Sequence, residues 1–373
     1  MTGRDICVLL GGPSAEHDVS LVSGRAVGGS LAARGHRVEG WLIDLAGGWW
    51  LLPAPALDES LPAVAFDEPM QLAAHGPLSA GAAMDELASR RPRPIVWIAL
   101  HGPFGEDGTV QALCEASGLT YTGSRVAASA LGMDKGLFKR LTSGLGMPVV
   151  PWLEIGASEF ERDGRAVMAR LADFATASSG GRLIIKPARL GSSVGISVVQ
   201  QPDEPPELEF ALAQAFRFDR TAIVEAYLDH PRELEASVLG NDAATTEVFG
   251  PGEIFPGREF YDYTAKYQAG ISRTTATPEL PALVRGRIRA LARQAFLAVG
   301  AEGFARIDFL LAADELYISE MNTIPGFTPI SLFPLLCAEG GYDFGATAER
   351  IVELALEREA GRPDGRLSRA DLP

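Results

Sequence analysis

Apolar residues fall along the first third of the chain in two alternating patterns. An unbroken apolar run at 6–10, within a segment 5–10, predicts a strand buried on both faces, and it ends at Gly11-Gly12. Apolar positions at helical spacing follow over about 19–34 and stop at Gly35. Runs at 38–44 and 94–100 predict two more buried strands, while 109–117 and 119–121 read as a helix and a short strand. Strands and helices taking turns in this way imply a parallel α/β sheet. The stretch 46–93 interrupts the alternation: rich in Pro, Ala and Gly, it reads as a variable insertion whose residues indicate no function.

The texture changes after Gly123. Helical patterns around 135–145 and 165–177 flank a hairpin, 182–186 with 196–199, whose connection contains GSSVG at 191–195. A Pro/Glu stretch at 201–207 reads as a loop, and 221–227 begins a further unit with strands at 232–239, 305–311 and 316–321. Residues 285–299 predict a helix with Leu291, Ala295, Phe296 and Val299 on one stripe, and the charged, Gly/Pro-containing stretch 357–373 reads as a tail after a terminal helix. A chain of 373 residues has length for two or three cores, in agreement with units at 1–123, 124–220 and 221–373.

Charge and composition narrow the function classes. The formal net charge of -15 disfavours general binding to nucleic acid or anionic membranes, leaving room for a local basic site for a small anion. Cys7, Cys114 and Cys337 are far apart and outside any CxxC spacing, so they predict buried thiols in a reducing compartment. The histidines lack ligand spacing, which argues against zinc. No signal-like or membrane-spanning run is present, so a cytoplasmic location is expected.

Candidate chemistry gathers in five places. In the hairpin 305–321 strand periodicity puts Arg306 and Asp308 on one face, and Glu320 and Asn322 on one face of the returning strand. A hairpin centred on Asp314 sets Asp308 opposite Glu320 and Arg306 opposite Asn322. Two carboxylates facing across a ladder repel. A divalent cation would turn that repulsion into binding, and oxygen donors without His or Cys suit Mg²⁺ bridging to substrate phosphates. The plain alternative is a solvent-facing hairpin with scattered charges. The second place is 183–195, where a strand delivers Lys186 and then a loop whose N–H groups and Ser192 and Ser193 hydroxyls can approach an anion. A simple Gly/Ser turn is the other reading, and neither GxxxxGK(S/T) nor GxGxxG is present. Third, the loops 11–20 and 101–109 follow strands at the end of a parallel sheet where ligands bind, and they carry Glu16, His17 and His101. Surface or hydrogen-bonding roles are common for such histidines. Fourth, Phe260, Tyr261, Tyr263 and Tyr267 surround Lys266 without clean periodicity, as in a long loop able to close over a ligand, although such aromatics also serve cores and interfaces. Fifth, Pro325-Gly326 follows the candidate metal strand, and the Gly326 N–H could face a developing oxyanion or belong to a plain turn.

Taken together and in order, GGPSAEHDVS (11–20), LHGPFGEDGT (100–109), YTGS (121–124), MDK (133–135), IIKPARLGSSVGIS (184–197), FYDYTAKY (260–267), GFARIDFLL (303–311) and SEMNTIPGFTPISLFP (319–334) resemble the D-alanine-D-alanine ligases of the ATP-grasp superfamily. The resemblance implies an α/β (α+β multidomain) chain with the ATP-grasp fold. Its parts would be an N-terminal parallel α/β domain carrying the insertion at about 46–93, a small central α+β domain, and a C-terminal antiparallel-sheet domain, with ATP between the last two. It implies ATP as co-substrate and two Mg²⁺ ions, with Mn²⁺ as a substitute, D-alanine as substrate and a homodimer, for peptidoglycan precursor synthesis.

By the same resemblance Lys135 and Lys186 would bind ATP phosphates beneath the flap that carries Ser192 and Ser193. Glu225, Tyr227 and Leu228 would hold adenine and Glu233 the ribose, while Lys266 would meet the γ-phosphate. Asp308, Glu320 and Asn322 would hold the metals. Glu16 and His101 would anchor the first D-alanine, and Glu16, Ser192 and Tyr267 would form a hydrogen-bonded triad closing the site. Arg306 and the Gly326 N–H would stabilise the tetrahedral intermediate, and Ser331 would receive the second substrate's carboxylate. Departures from the family pattern are Thr264, Ser319, Ala226-Tyr227 and one extra residue within 229–231. Tyr267 favours D-alanine as acceptor over D-lactate or D-serine. A non-catalytic nucleotide-binding homologue is the reading from another class, and the intact Lys266, Arg306, Asp308, Glu320 and Asn322 argue against it.

Overall fold

The computed structural model describes residues 3–178, 180–256 and 273–361. The N-terminal sheet is built on β1 (Asp5–Gly11), whose residues 6–10 are fully buried, flanked in parallel by β2 (Arg37–Ile43) and by β5 (Ile95–Ile98). Burial on both faces explains the unbroken apolar run. The 46–93 insertion is not structureless: it supplies β3 (Trp49–Leu51), β4 (His75–Leu78) and the helix Ala80–Ser89. β3 and β4 add antiparallel, giving the order β4-β3-β2-β1-β5, so the sheet is mixed around a parallel centre. The expected strand at 119–121 reduces to a single bridge between Val96 and Tyr121. The helix His17–Ala33 lies close on β1 because Gly24 faces Leu10, where an added Cβ would come within 2.7 Å of the Leu10 Cβ. That close approach sets the loop between them over the carboxyl end of the sheet.

A second sheet has the order β6-β9-β7-β8, formed by β6 (Trp152–Gly156), β7 (Leu183–Pro187), β8 (Ser197–Val199) and β9 (Thr221–Ala226). The sequence reading starts the third unit with 221–227. The pairing instead puts β9 at the middle of the central sheet, hydrogen-bonded to β6 and β7. The helices Ala157–Ala177 and Pro205–Phe216 cover one face, burying Leu171, Leu208 and Leu212 against Leu183, Ile185 and Val224. Of the expected loop at 201–207, residues 201–204 are non-helical, and 205–207 instead begin the helix, with Pro205 and Pro206 in its first turn, where a missing N–H costs nothing.

The third sheet is antiparallel, with β10 (Arg232–Gly240), β11 (Glu247–Phe255), β12 (Arg273–Thr275), β13 (Gly303–Ala312) and β14 (Glu315–Asn322) in the order β12-β11-β10-β13-β14. Its residues alternate as a half-covered sheet should. Leu234, Ala236, Val238, Ala305, Ile307 and Phe309 pack with the helix Ala282–Val299, while 233, 235, 306 and 308 take the other face. The helix Leu332–Glu339 packs on β10 and β11, the helix Phe344–Ala360 returns to the helix His17–Ala33 of the N-terminal unit, and Trp97, Phe304, Phe327 and Phe333 join both parts in one aromatic core. Glu349 fixes this return, meeting His36 at 2.7 Å and Arg4 and Arg34 at 3.6 Å each. The central sheet keeps a core of its own. All three cysteines are free and buried, and no helix among the described residues is long and apolar enough to cross a membrane.

Candidate active site

The loops that leave β1 and β5 enclose one carboxylate. The Ser14 hydroxyl donates to the His101 carbonyl at 2.8 Å, and the His101 N–H donates to Ser20 Oγ at 2.8 Å, so the two loops are bound as one. Glu16 sits buried between them. Its Oε1 accepts a hydrogen bond from Ser192, which arrives from the loop after β7. Two glycines let backbone close around the same group: an added Cβ would lie 2.5 Å from Glu16 Oε2 at Gly102 and 2.9 Å from it at Gly191. Ser192 and Ser193 hold φ of 51° and 57°, the left-handed region, which non-glycine residues occupy at a cost. That strained turn aims the Ser192 hydroxyl at Glu16.

His101 is buried, with Nδ1 2.9 Å from the Ile324 carbonyl and Nε2 3.0 Å from Ser23 Oγ. A carbonyl only accepts, so Nδ1 carries the proton and Nε2 accepts from Ser23. Burial lowers the imidazole pKa, with Glu16 opposing, which agrees with a neutral ring. Ile324 is held through its other peptide group as well: its N–H donates to Glu106 Oε2 at 3.3 Å, and Glu106 Oε1 accepts from the Gly102 N–H at 2.9 Å. Ile324 precedes Pro325-Gly326, so His101 and Glu106 together position the segment that carries the Gly326 N–H. Ser331, the N-cap of the helix Leu332–Glu339, lies on the same turn, bound to the Thr328 N–H at 3.0 Å and to the Thr328 hydroxyl at 2.8 Å.

On the third sheet, Asp308 stands opposite Glu320 and Arg306 opposite Asn322, the expected register. The turn is one position tighter than a hairpin centred on Asp314, since Ala312 pairs with Glu315, and a bulge at Ser319 restores the count. Arg306 forks onto Asp308 with two hydrogen bonds of 2.7 Å and lies 3.3 Å from Glu235, while Asn322 Nδ2 donates to Asp308 Oδ2 at 3.0 Å. Burial works to lower the guanidinium pKa, but Asp308 and Glu235 outweigh it and raise the value, so Arg306 stays a cation. Among the described residues no three His, Cys, Asp or Glu side chains gather as a metal centre. Two carboxylates and the Asn322 amide oxygen form a hard, all-oxygen donor set that fits Mg²⁺ with further ligands from substrate.

The central sheet faces this edge with Ile184, Lys186, Val198 and Glu225. Lys186 donates to Glu225 Oε2 at 2.8 Å, and Lys139 lies 2.6 Å from Glu225 Oε1. Lys135 donates to the Leu190 carbonyl at 2.8 Å and pairs with Glu320 at 3.2 Å, linking the loop after β7 to the edge that carries Asp308 and Glu320. Burial acts to raise the Glu225 pKa, but the two lysines prevail and hold it at about 2. Between the two sheets lies a cavity of about 410 Å³, walled by Ile184, Val198 and Leu310, with Ser193, Glu233, Asp308 and Glu320 at its margin. An apolar slot with a few polar groups at its rim suits a purine base and its ribose. Tyr227 and Leu228 follow directly after β9, and Arg182 stacks over the Tyr227 ring at 4.4 Å. The structure thus brings together Glu16 with Ser192, Lys186 with Glu225, and Arg306 with Asp308 and Asn322. Lys266 and Tyr267 lie outside the described residues.

Comparison with known proteins agrees with this geometry. Residues 5–124 match the family described as D-ala D-ala ligase N-terminus, and 141–353 match D-ala D-ala ligase C-terminus. The chain belongs to the D-alanine-D-alanine ligase family. It is 38% identical over 357 residues to a D-alanine--D-alanine ligase of Deinococcus radiodurans, covering 95% of this chain and 99% of that one. Among solved structures it resembles the D-alanine-D-alanine ligase from Coxiella burnetii, with a TM-score of 0.80, 30% identity and 96% of each chain covered. The VanG D-Ala:D-Ser ligase from Enterococcus faecalis gives a TM-score of 0.79 at 28% identity, covering 95% of this chain and 100% of that one. These likenesses extend over the whole ATP-grasp architecture, with the mixed N-terminal sheet and the two antiparallel sheets in place.

Sequence reasoning gave no role to Lys139, Glu106, Ser20 or Ser23. Lys139 had a signal: with Phe138 and Thr142 it lies on the buried stripe of the helix Lys135–Gly144, where a lysine needs a partner. The partners of the other three come from loops far apart in sequence and leave no periodic trace.

Proposed function

We infer that this protein is an ATP-dependent ligase that joins two D-alanine molecules into D-alanyl-D-alanine for peptidoglycan synthesis. A carboxylate is a poor acyl donor. ATP converts the first D-alanine to an acyl phosphate with release of ADP, and the amine of the second attacks that carbonyl and expels phosphate. The observation that carries the reading is the meeting of Glu16 and Ser192 at the edge of the Lys186, Arg306 and Asp308 cluster, within a family-wide match to these ligases.

In this reading the three sheets centre three units, and the site lies where they converge. Glu16 holds the ammonium of the first D-alanine, whose carboxylate points toward the cluster. His101, neutral and fixed on Ile324, orders that pocket. Lys135, Lys186 and Lys266 neutralise ATP phosphates, Ser192 and Ser193 close the flap over them, and Glu225, Tyr227, Leu228 and Glu233 flank the nucleoside. Arg306 and the Gly326 N–H stabilise the oxyanion of the tetrahedral intermediate, and Ser331 receives the second carboxylate. Asp308, Glu320 and Asn322 would hold Mg²⁺, which when bound supplies positive charge to the transferring phosphoryl group. Tyr267 with Ser192 and Glu16 keeps water from the acyl phosphate. A cytoplasmic homodimer completes the proposal, as a cytosolic supply of ATP and the family resemblance suggest.

The test is phosphate release from ATP and Mg²⁺ with D-alanine, with D-serine and D-lactate as alternative acceptors and products identified by mass. Dipeptide from D-alanine alone is expected. Mixed products with D-serine would move the specificity toward that named for the Enterococcus neighbour, and ATP binding without any product would overturn the catalytic reading.

A further inference from the structure

Under the cavity, among the described residues, three lysines stand against two carboxylates. Lys135 pairs with Glu320 at 3.2 Å, while Lys186 and Lys139 share Glu225 at 2.8 and 2.6 Å. Lys139 is fully buried and Glu225 is 3% exposed. One lysine is enough to neutralise one carboxylate. A second in the same buried place costs desolvation and repels its neighbour, and buried ion pairs seldom repay such costs in stability. Burial, and to a lesser extent Lys186, depress the Lys139 pKa against the pull of Glu225. Around Glu225 itself two lysines face one carboxylate, an excess of positive charge that an anion bound beside Lys186 would balance.

The geometry indicates where that anion binds. Lys139 approaches Glu225 from the helix Lys135–Gly144, on the Oε1 side, whereas Lys186 reaches Oε2 from the face of β7 that looks into the cleft. We propose that Lys139 is a positioning residue that holds and neutralises the Glu225 carboxylate, so that the charge of Lys186 stays available to the phosphates of a nucleoside triphosphate. Without Lys139, Glu225 would turn wholly to Lys186 and the pair would be neutral. The inference rests on the reading that Lys186 meets ATP phosphates, and it adds the residue that sets the strength of that contact.

The test is Lys139→Met beside Lys186→Met, with ATP affinity measured by calorimetry in the absence of D-alanine, the nucleotide-free Tm, and KM for D-alanine. A lost charge-assisted contact corresponds to about a tenfold or greater weakening of ATP binding. For Lys139→Met that weakening is expected with an unchanged or higher Tm, since an apolar side chain replaces a buried surplus charge, and with KM for D-alanine within twofold. A purely structural lysine would lower Tm and leave the affinity of the folded fraction intact, which would overturn the proposal. If Lys139→Met lowers both, Lys139→Arg decides: affinity restored by the retained charge supports the proposal, and a folded variant with weak binding refutes it. Unchanged affinity in Lys186→Met would instead overturn the phosphate reading of Lys186, separating the two failures.

Discussion

Replacing Ser192 by Ala tests whether the loop after β7 is held closed over the pocket at Glu16, proposed to take the first substrate. The hydroxyl donates to Glu16 Oε1, and both residues are buried, Ser192 at 5% and Glu16 at 8% exposure. The change removes one oxygen and leaves the Cβ, so the left-handed backbone at φ 51° is no easier or harder to form than before. What is lost is a hydrogen bond to a carboxylate, worth about 1.5–3 kcal/mol. If that bond favours the closed arrangement, its loss lowers the ratio of closed to open about 10- to 150-fold, by the relation of about 1.4 kcal/mol per factor of ten. Rapid-quench kinetics with D-alanine and ATP should show kcat reduced more than twofold, up to the limit that this range sets. An open flap also admits water to the acyl phosphate, so phosphate released per dipeptide should rise above one. A kcat within twofold of the parent, with one phosphate per dipeptide, would refute the closing role.

Two further predictions concern the same pocket. Gly102→Ala places a Cβ 2.5 Å from Glu16 Oε2 at a φ of +75°, so D-alanine-dependent phosphate release should fall roughly tenfold or more while ATP binding by calorimetry is preserved; equal losses of both would point to general unfolding. Glu106 is pushed up to about 8 by burial and by nearby Glu16, against its two N–H donors, from an ordinary 4.5. Between those values the unfolded chain has released the proton and the folded chain keeps it, so this group makes the parent less stable as pH rises, with the loss complete above about pH 8. Glu106→Gln cannot titrate, and its Tm should gain on that of the parent from pH 5 to pH 8. A Tm difference that does not change over that range would contradict the assignment.

The parts of this molecule that were legible in its sequence are those governed by short periods. The burial of β1 followed from five consecutive apolar residues, and the pairing of Asp308 with Glu320 from counting in twos about a turn. Even there the turn sits one position away, and the register survives because Ser319 forms a bulge, a local irregularity that counting alone does not show. β3 and β4, three and four residues long, are too short to carry a period, and the helix Pro205–Phe216 opens with two prolines that read as a loop unless N-terminal helix geometry is considered.

The site is less legible for a different reason. Ile324 is held on its carbonyl side by His101 and on its N–H side by Glu106, more than two hundred residues earlier, and Glu225 is shared by lysines from a helix and from a neighbouring strand. Such contacts depend on how separate sheets are set against one another, through the Trp97, Phe304 and Phe327 core on one side and the separate central core on the other. The separation of those cores has a mechanical consequence. The loop after β7 and Lys186 belong to the central sheet, whose apolar interior is its own, whereas the helix Lys135–Gly144 packs by Phe138 into the core of the third sheet, so the central sheet can shift against the Asp308 edge without breaking a shared core, and the contacts across the gap include polar ones: Ser192 on Glu16, Lys135 on the Leu190 carbonyl and Lys139 on Glu225. Polar contacts exchange readily with water and with substrate. On the proposed function, a site that opens to admit ATP and closes to exclude water is therefore placed where the chain relies on ion pairs and hydrogen bonds rather than on packed side chains.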